Sequence, residues 1–167
     1  MLSPVRSTTL SSYRIPKDEV AVEIALRYGE PESMTVFLGA RAASHPGRER
    51  PSDLLLDDGV FLTAVGSDER VRFLHKDAIA WMTVAPEFEM SGRCETESQL
   101  SSHRCRPIDL LLDDGRTFLG KVAIMMPPES SRLQDYLNAA GRFIEVRGDG
   151  GFHFVNRDRI AMVTATE

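Results

Sequence analysis

Cysteine and histidine are scarce in this chain of 167 residues, with two of the first and four of the second. Cys94 and Cys105 flank His103 in a Cys-x8-His-x-Cys arrangement. It lacks the close paired spacing of structural zinc sites and a clear fourth ligand. A disulfide between the two cysteines needs an oxidising compartment, so free thiols are the preferred reading. His45, His75 and His153 stand apart and form no HExxH-type cluster. Long apolar runs are also missing: no stretch approaches the roughly 20 residues that cross a bilayer as a helix. The first residues, Met1–Thr9, lack the apolar centre of a signal peptide. The expected location is therefore the cytoplasm, without membrane insertion. Nucleophile elbows, phosphate-cradling loops and dinucleotide glycine fingerprints are absent too. The reading is accordingly non-enzymatic, with no cofactor and no metal.

What the chain does have is 42% hydrophobic residues and a net charge of −5. That is too apolar and too weakly charged for a disordered chain. Lys17, Lys76 and Lys121 are the only lysines among 20 basic residues, so the other 17 are arginines.

The strongest signal is an internal repeat. Ser52–Leu62 aligns with Gln134–Ile144, placing Arg50 on Arg132 and matching Asp, Leu, Gly and Phe. Lys76-Asp77-Ala78-Ile79-Ala80 falls on Arg157-Asp158-Arg159-Ile160-Ala161, and Val22–Leu26 falls on Ile108–Leu112. Phe37-Leu38-Gly39 is set on Phe118-Leu119-Gly120. A rival register matches Arg50–Gly59 to Arg106–Gly115, where Asp-Leu-Leu-Leu-Asp-Asp-Gly is identical. It decays soon afterwards, so the longer register is preferred.

In that register each copy reads as five short strands and one helical turn. The second copy has strands at 108–112, 116–126, 143–147, 152–156 and 160–164, with helix near 130–138. The first has strands near 20–28, 34–41, 60–65, 70–75 and 78–84, with helix at 51–56. Alternating apolar residues, Asp-Gly turns and Pro127-Pro128 carry these assignments. The expected organisation is a flexible lead-in at 1–19, repeat A at 20–84, a linker at 85–106 and repeat B at 107–167. The fold class is mainly β: two tandem small barrels of SH3-like or Sm-like character. Such small units stabilise poorly alone and gain by packing together.

Arg132-Leu133-Gln134-Asp135-Tyr136-Leu137-Asn138, Arg142-Phe143-Ile144 and Val155-Asn156-Arg157-Asp158-Arg159-Ile160 together resemble a bacterial family of small β domains of unassigned function. Its members carry an R-x-x-D-x-L-N turn, a following F-[IL] strand and a final N-[RK]-x-x-I strand. The first copy departs from it, with Leu56 at the Asn position and His75 before Lys76-Asp77. The resemblance implies a fold rather than an activity.

The acidic pairs Asp57-Asp58 and Asp113-Asp114 each precede a glycine and read as turn formers. Asp53 and Asp135 read as helix caps or partners of Arg50 and Arg132. A GC-rich coding sequence alone can explain the arginine bias. The functional reading gathers Arg132, Arg142, Arg147, Arg157 and Arg159 with Phe152 and Phe154 as a ligand or partner surface in repeat B; the preferred reading of the two phenylalanines, on alternate positions of one strand, is core. Two functions follow. The first is a protein-interaction scaffold acting through strand edges or the groove between repeats, with a homodimer as its simplest form. The second is a nucleic-acid or nucleotide module using the Arg/Phe surface.

Overall fold

The computed structural model describes residues 17–90, 104–124 and 132–166. Most of the lead-in, the central linker with Cys94 and His103, and the Pro127-Pro128 strand end lie outside the described residues.

The chain is mainly β. Two hairpin strands, β1 (Asp18–Leu26) and β2 (Glu32–Leu38), precede the short helix α1 (Pro51–Leu56). Strands β3 (Phe61–Gly66) and β4 (Val71–His75), a 3-10 turn at Lys76–Ala78 and β5 (Ile79–Val84) follow. Pro86–Met90 forms α2, inside the stretch expected as linker. The order then recurs: β6 (Arg104–Leu112), β7 (Thr117–Ile124), α3 (Leu133–Ala139), β8 (Phe143–Gly148), β9 (Gly151–Asn156), a 3-10 turn at Arg157–Arg159 and β10 (Ile160–Ala165).

All ten strands join one antiparallel sheet in the order β10-β6-β7-β8-β9-β5-β1-β2-β3-β4. Each half thus repeats one spatial order, fifth-first-second-third-fourth. Even a bulge recurs. Leu26 and Ala25 face Ile79 and Trp81, skipping Ala80, while Leu112 and Leu111 face Ile160 and Met162, skipping Ala161. An extra residue at the same place bends both halves alike.

The two expected units do not stand as separate sheets: among the described residues their strands form one sheet that is not closed and ends at β10 and β4. Strand β9 does not close against β10 of its own half. It pairs with β5 of the other half, from Trp81 opposite Val155 to Val84 opposite Phe152. One residue-level match is corrected as well. Leu38 lies opposite Asp18 as Ile124 lies opposite Arg104, so Phe118 corresponds to Glu32 and not to Phe37.

Successive residues of a strand point to opposite faces, and here each face holds a core. Val20, Val22 and Ile24 of β1 join Met34, Val36, Leu62 and Met82 in the first core. Ile108, Leu110 and Leu112 of β6 join Val122, Ile144 and Val146 in the second. The joining strands serve both: Met82 and Phe154 enter the first core, and their neighbours Trp81 and Val155 enter the second. A strand covered on both faces carries apolar residues without alternation, as Ile79-Ala80-Trp81-Met82 does.

The heptapeptide Asp-Leu-Leu-Leu-Asp-Asp-Gly takes two structures. At 109–115 it is strand and hairpin turn; at 53–59 it begins as helix. In the helix Pro51 occupies the first turn, and the Arg50 N–H donates to Asp53 Oδ2 at 2.8 Å. The preceding residue differs as well. Ile108 extends the inward series Ile108-Leu110-Leu112. Ser52 instead donates through its N–H and hydroxyl to the buried Glu89 carboxylate of α2, at 2.7 and 2.8 Å. The same seven residues follow whichever core offers them a partner.

Candidate interaction site

The join between the halves shows what this protein does with a strand edge. Besides the β5–β9 ladder, Asn156 donates through Nδ2 to the Ile79 carbonyl at 2.9 Å. Thr83 Oγ1 and His153 Nδ1 share a 2.8 Å hydrogen bond, and Arg142 Nε lies 2.9 Å from Asp77 Oδ1. Gly151 has φ +128°, and a Cβ there would stand 2.4 Å from the Val84 carbonyl oxygen. The close approach of the two strands therefore needs glycine. Phe143, Phe152 and Phe154 of the second half are buried in the first core. Each such ring contributes on the order of 1.5–3 kcal/mol when removed from water.

The surface expected from Arg132, Arg142, Arg147, Phe152, Phe154, Arg157 and Arg159 does not assemble in that form. Phe152 and Phe154 are core residues and offer no exposed stacking face. Arg142 is paired with Asp77 across the join, and Arg159 with Asp113 at 2.7 Å. Arg147 reaches Glu145 at 2.8 Å and lies 5.4 Å over the Phe152 ring. Arg157 donates to the Ala140 carbonyl at the end of α3. Arg132 is exposed at the start of the same helix. Arg142, Arg147, Arg157 and Arg159 thus engage the protein's own carboxylates and carbonyls rather than one shared open patch.

The acidic turns behave as turns. Asp114 accepts from the Arg116 N–H at 3.0 Å beside Gly115, whose φ is +88°. Asp57 also receives the fully buried Lys76 ammonium, 2.6 Å from Oδ1 and 3.0 Å from its carbonyl. Partial burial raises the Asp57 carboxyl, but the Lys76 hydrogen bond and the Gly59 N–H outweigh it and hold it below the usual 3.8. Lys76 and Arg157, matched in the repeat, both fasten the end of the preceding helix. Cys105 is exposed with a free thiol.

The region that the residue pattern did not single out lies at the β4 end of the sheet. Among the described residues, strand β4 pairs with β3 on one side and is terminal on the other. Val71 and Phe73 project outward from it, and Phe61 projects beside them from β3. All three are exposed, and Phe61 meets His75 edge-on at 5.1 Å. Arg72, the charged residue within the strand, is held by Glu32 and Asp68. At the opposite end, β10 pairs among the described residues only with β6 and exposes Met162. The available signal was the repeat itself, which sets Phe73 over Phe154. What it could not supply was the position of each strand in the sheet.

No protein-family model matches this chain, and comparison with curated proteins and with solved structures finds no match either. Among the described residues, no helix is long and apolar enough to cross a membrane.

Proposed function

We propose that this chain is a non-enzymatic protein-interaction module. It is a tandem of two units of SH3-like or Sm-like small-barrel character that binds protein segments at its sheet edges. The observation that carries this reading is the terminal strand β4, where Val71, Phe73 and neighbouring Phe61 expose apolar surface beside an available backbone edge. Open edges of this kind are usually short, charged or covered. Here the one charge in the strand is engaged laterally by Glu32 and Asp68. An added strand would gain main-chain hydrogen bonds from the edge and specificity from the alternate side chains.

Photo-crosslinking in the cells that make the protein tests this reading. A benzophenone amino acid at position 73 is compared with the same group at position 114, in the exposed β6–β7 turn. Covalent protein adducts concentrated at position 73 are expected. Equal adduct yields at both positions would contradict the reading.

A further inference from the structure

We propose that the β4 edge of one molecule pairs with the β10 edge of a second copy, in the register that β9 and β5 already use within the chain. This rests on the reading of the edges as interaction surfaces and names their partner.

The repeat fixes which residues correspond. The Lys76 N–H donates to the Val60 carbonyl at 3.0 Å, as the Arg157 N–H donates to the Arg142 carbonyl at 2.8 Å. Counting from these bonds, Val71, Phe73 and His75 of β4 correspond to Phe152, Phe154 and Asn156 of β9, and Phe61 corresponds to Phe143. The shared bulge sets Ile160, Met162 and Val163 of β10 on Ile79, Trp81 and Met82 of β5. Strands β9 and β5 form the internal join. Their equivalents β4 and β10 are the two ends of the sheet. Each end is thus half of an interface whose other half lies at the opposite end of the same molecule.

Exposure follows the same division. Trp81 is 5% exposed where it meets the second half, and Met162, its counterpart, is 55% exposed. Phe143, Phe152 and Phe154 are buried in the first core, whereas Phe61, Val71 and Phe73 are exposed. Transferring the internal register sets Leu74 opposite Met162, Phe73 opposite Val163, Arg72 opposite Thr164 and Val71 opposite Ala165. Phe61, Val71 and Phe73 then insert against the second core of the neighbouring copy.

The contact between copies is weaker than the internal join. Val71 is smaller than Phe152, and Val60 stands where Arg142 meets Asp77. Association is therefore concentration-dependent. Because the two surfaces differ, the interface is head-to-tail, and repetition gives a closed ring or a filament.

Light scattering on size-separated protein tests this with wild type, Phe73→Asp and Met162→Asp across a wide range of concentration. Both sites are exposed within the chain, and matching thermal transitions verify folding; Phe73→Lys and Met162→Lys provide a second pair. Wild type is expected to exceed the mass of one chain as concentration rises. Each variant alone stays at one chain, and an equimolar mixture yields twice that mass, since each variant keeps the edge the other lacks. Self-association of either variant, or failure of the mixture to assemble, overturns the head-to-tail pairing. So does a wild type of one-chain mass throughout. The wider reading is judged separately at position 73. Adducts with other proteins there leave the edge function standing when self-pairing fails, and their absence ends both.

Discussion

Phe73 and Phe154 occupy corresponding positions on corresponding strands, yet Phe73 is 69% exposed and Phe154 is 2% exposed. The difference lies in the neighbouring strand: β9 has β5 beside it, while β4 ends the sheet. Truncation should therefore separate the two. Phe154→Ala is expected to cost about 3–5 kcal/mol, by lost burial and the cavity it leaves. Phe73→Ala should stay within about 0.5 kcal/mol when measured on dilute protein. Urea denaturation of both variants checks this, and similar losses at the two positions would contradict the assignment.

The duplicated heptapeptide gives a second paired comparison. Leu112, in the strand copy, is fully buried in the second core, whereas Leu56, in the helix copy, is exposed. Leu112→Ala should cost about 2–5 kcal/mol, and Leu56→Ala no more than about 0.5 kcal/mol. Thermal unfolding of the two variants reads the difference directly.

The join should also weaken in mild acid. Burial holds the His153 imidazole below its ordinary 6.5, opposed in part by Glu23. The neutral ring shares its hydrogen bond with Thr83 and lies 5.0 Å from the Phe118 ring. Between the lowered folded value and 6.5, the unfolded chain binds more protons than the folded one. The contribution of His153 is therefore complete above about 6.5, falls as pH drops through that window, and levels off below the folded value. Denaturant midpoints of wild type and His153→Gln, compared between neutral pH and about pH 5, should show the steeper fall in wild type. Equal falls would contradict this role.

Much of the local structure was legible in the residue order. Asp113-Asp114-Gly115 announced its hairpin, and the inward series Ile108-Leu110-Leu112 announced β6. Lys76-Asp77 and Arg157-Asp158, each followed two residues later by Ile-Ala, tied the two copies together. Strand order was not legible, because alternation along one strand says which face is buried but not which strand lies beside it. For that reason Phe152 and Phe154 read either as core, the preferred reading, or as part of a surface, and nothing in the residue order marks Val71 and Phe73 as exposed. The unbroken apolar run Ile79-Ala80-Trp81-Met82 was the available sign that β5 is covered on both faces. The two structures of Asp-Leu-Leu-Leu-Asp-Asp-Gly mark the same limit, since Ser52 and Ile108 select different partners for one segment.

The central claim is that the two ends of this sheet are complementary in a defined register, and cysteine cross-linking measures that register. With Cys94 and Cys105 replaced by serine, Thr83→Cys together with His153→Cys in one chain serves as the internal control, because those side chains already touch. An Arg72→Cys protein mixed with a Thr164→Cys protein is predicted to form a disulfide-linked pair of chains under mild oxidation, while Arg70→Cys mixed with Thr164→Cys stays reduced. Linked Arg72→Cys chains without Thr164→Cys, or no linkage between copies while the internal control closes, would contradict the account.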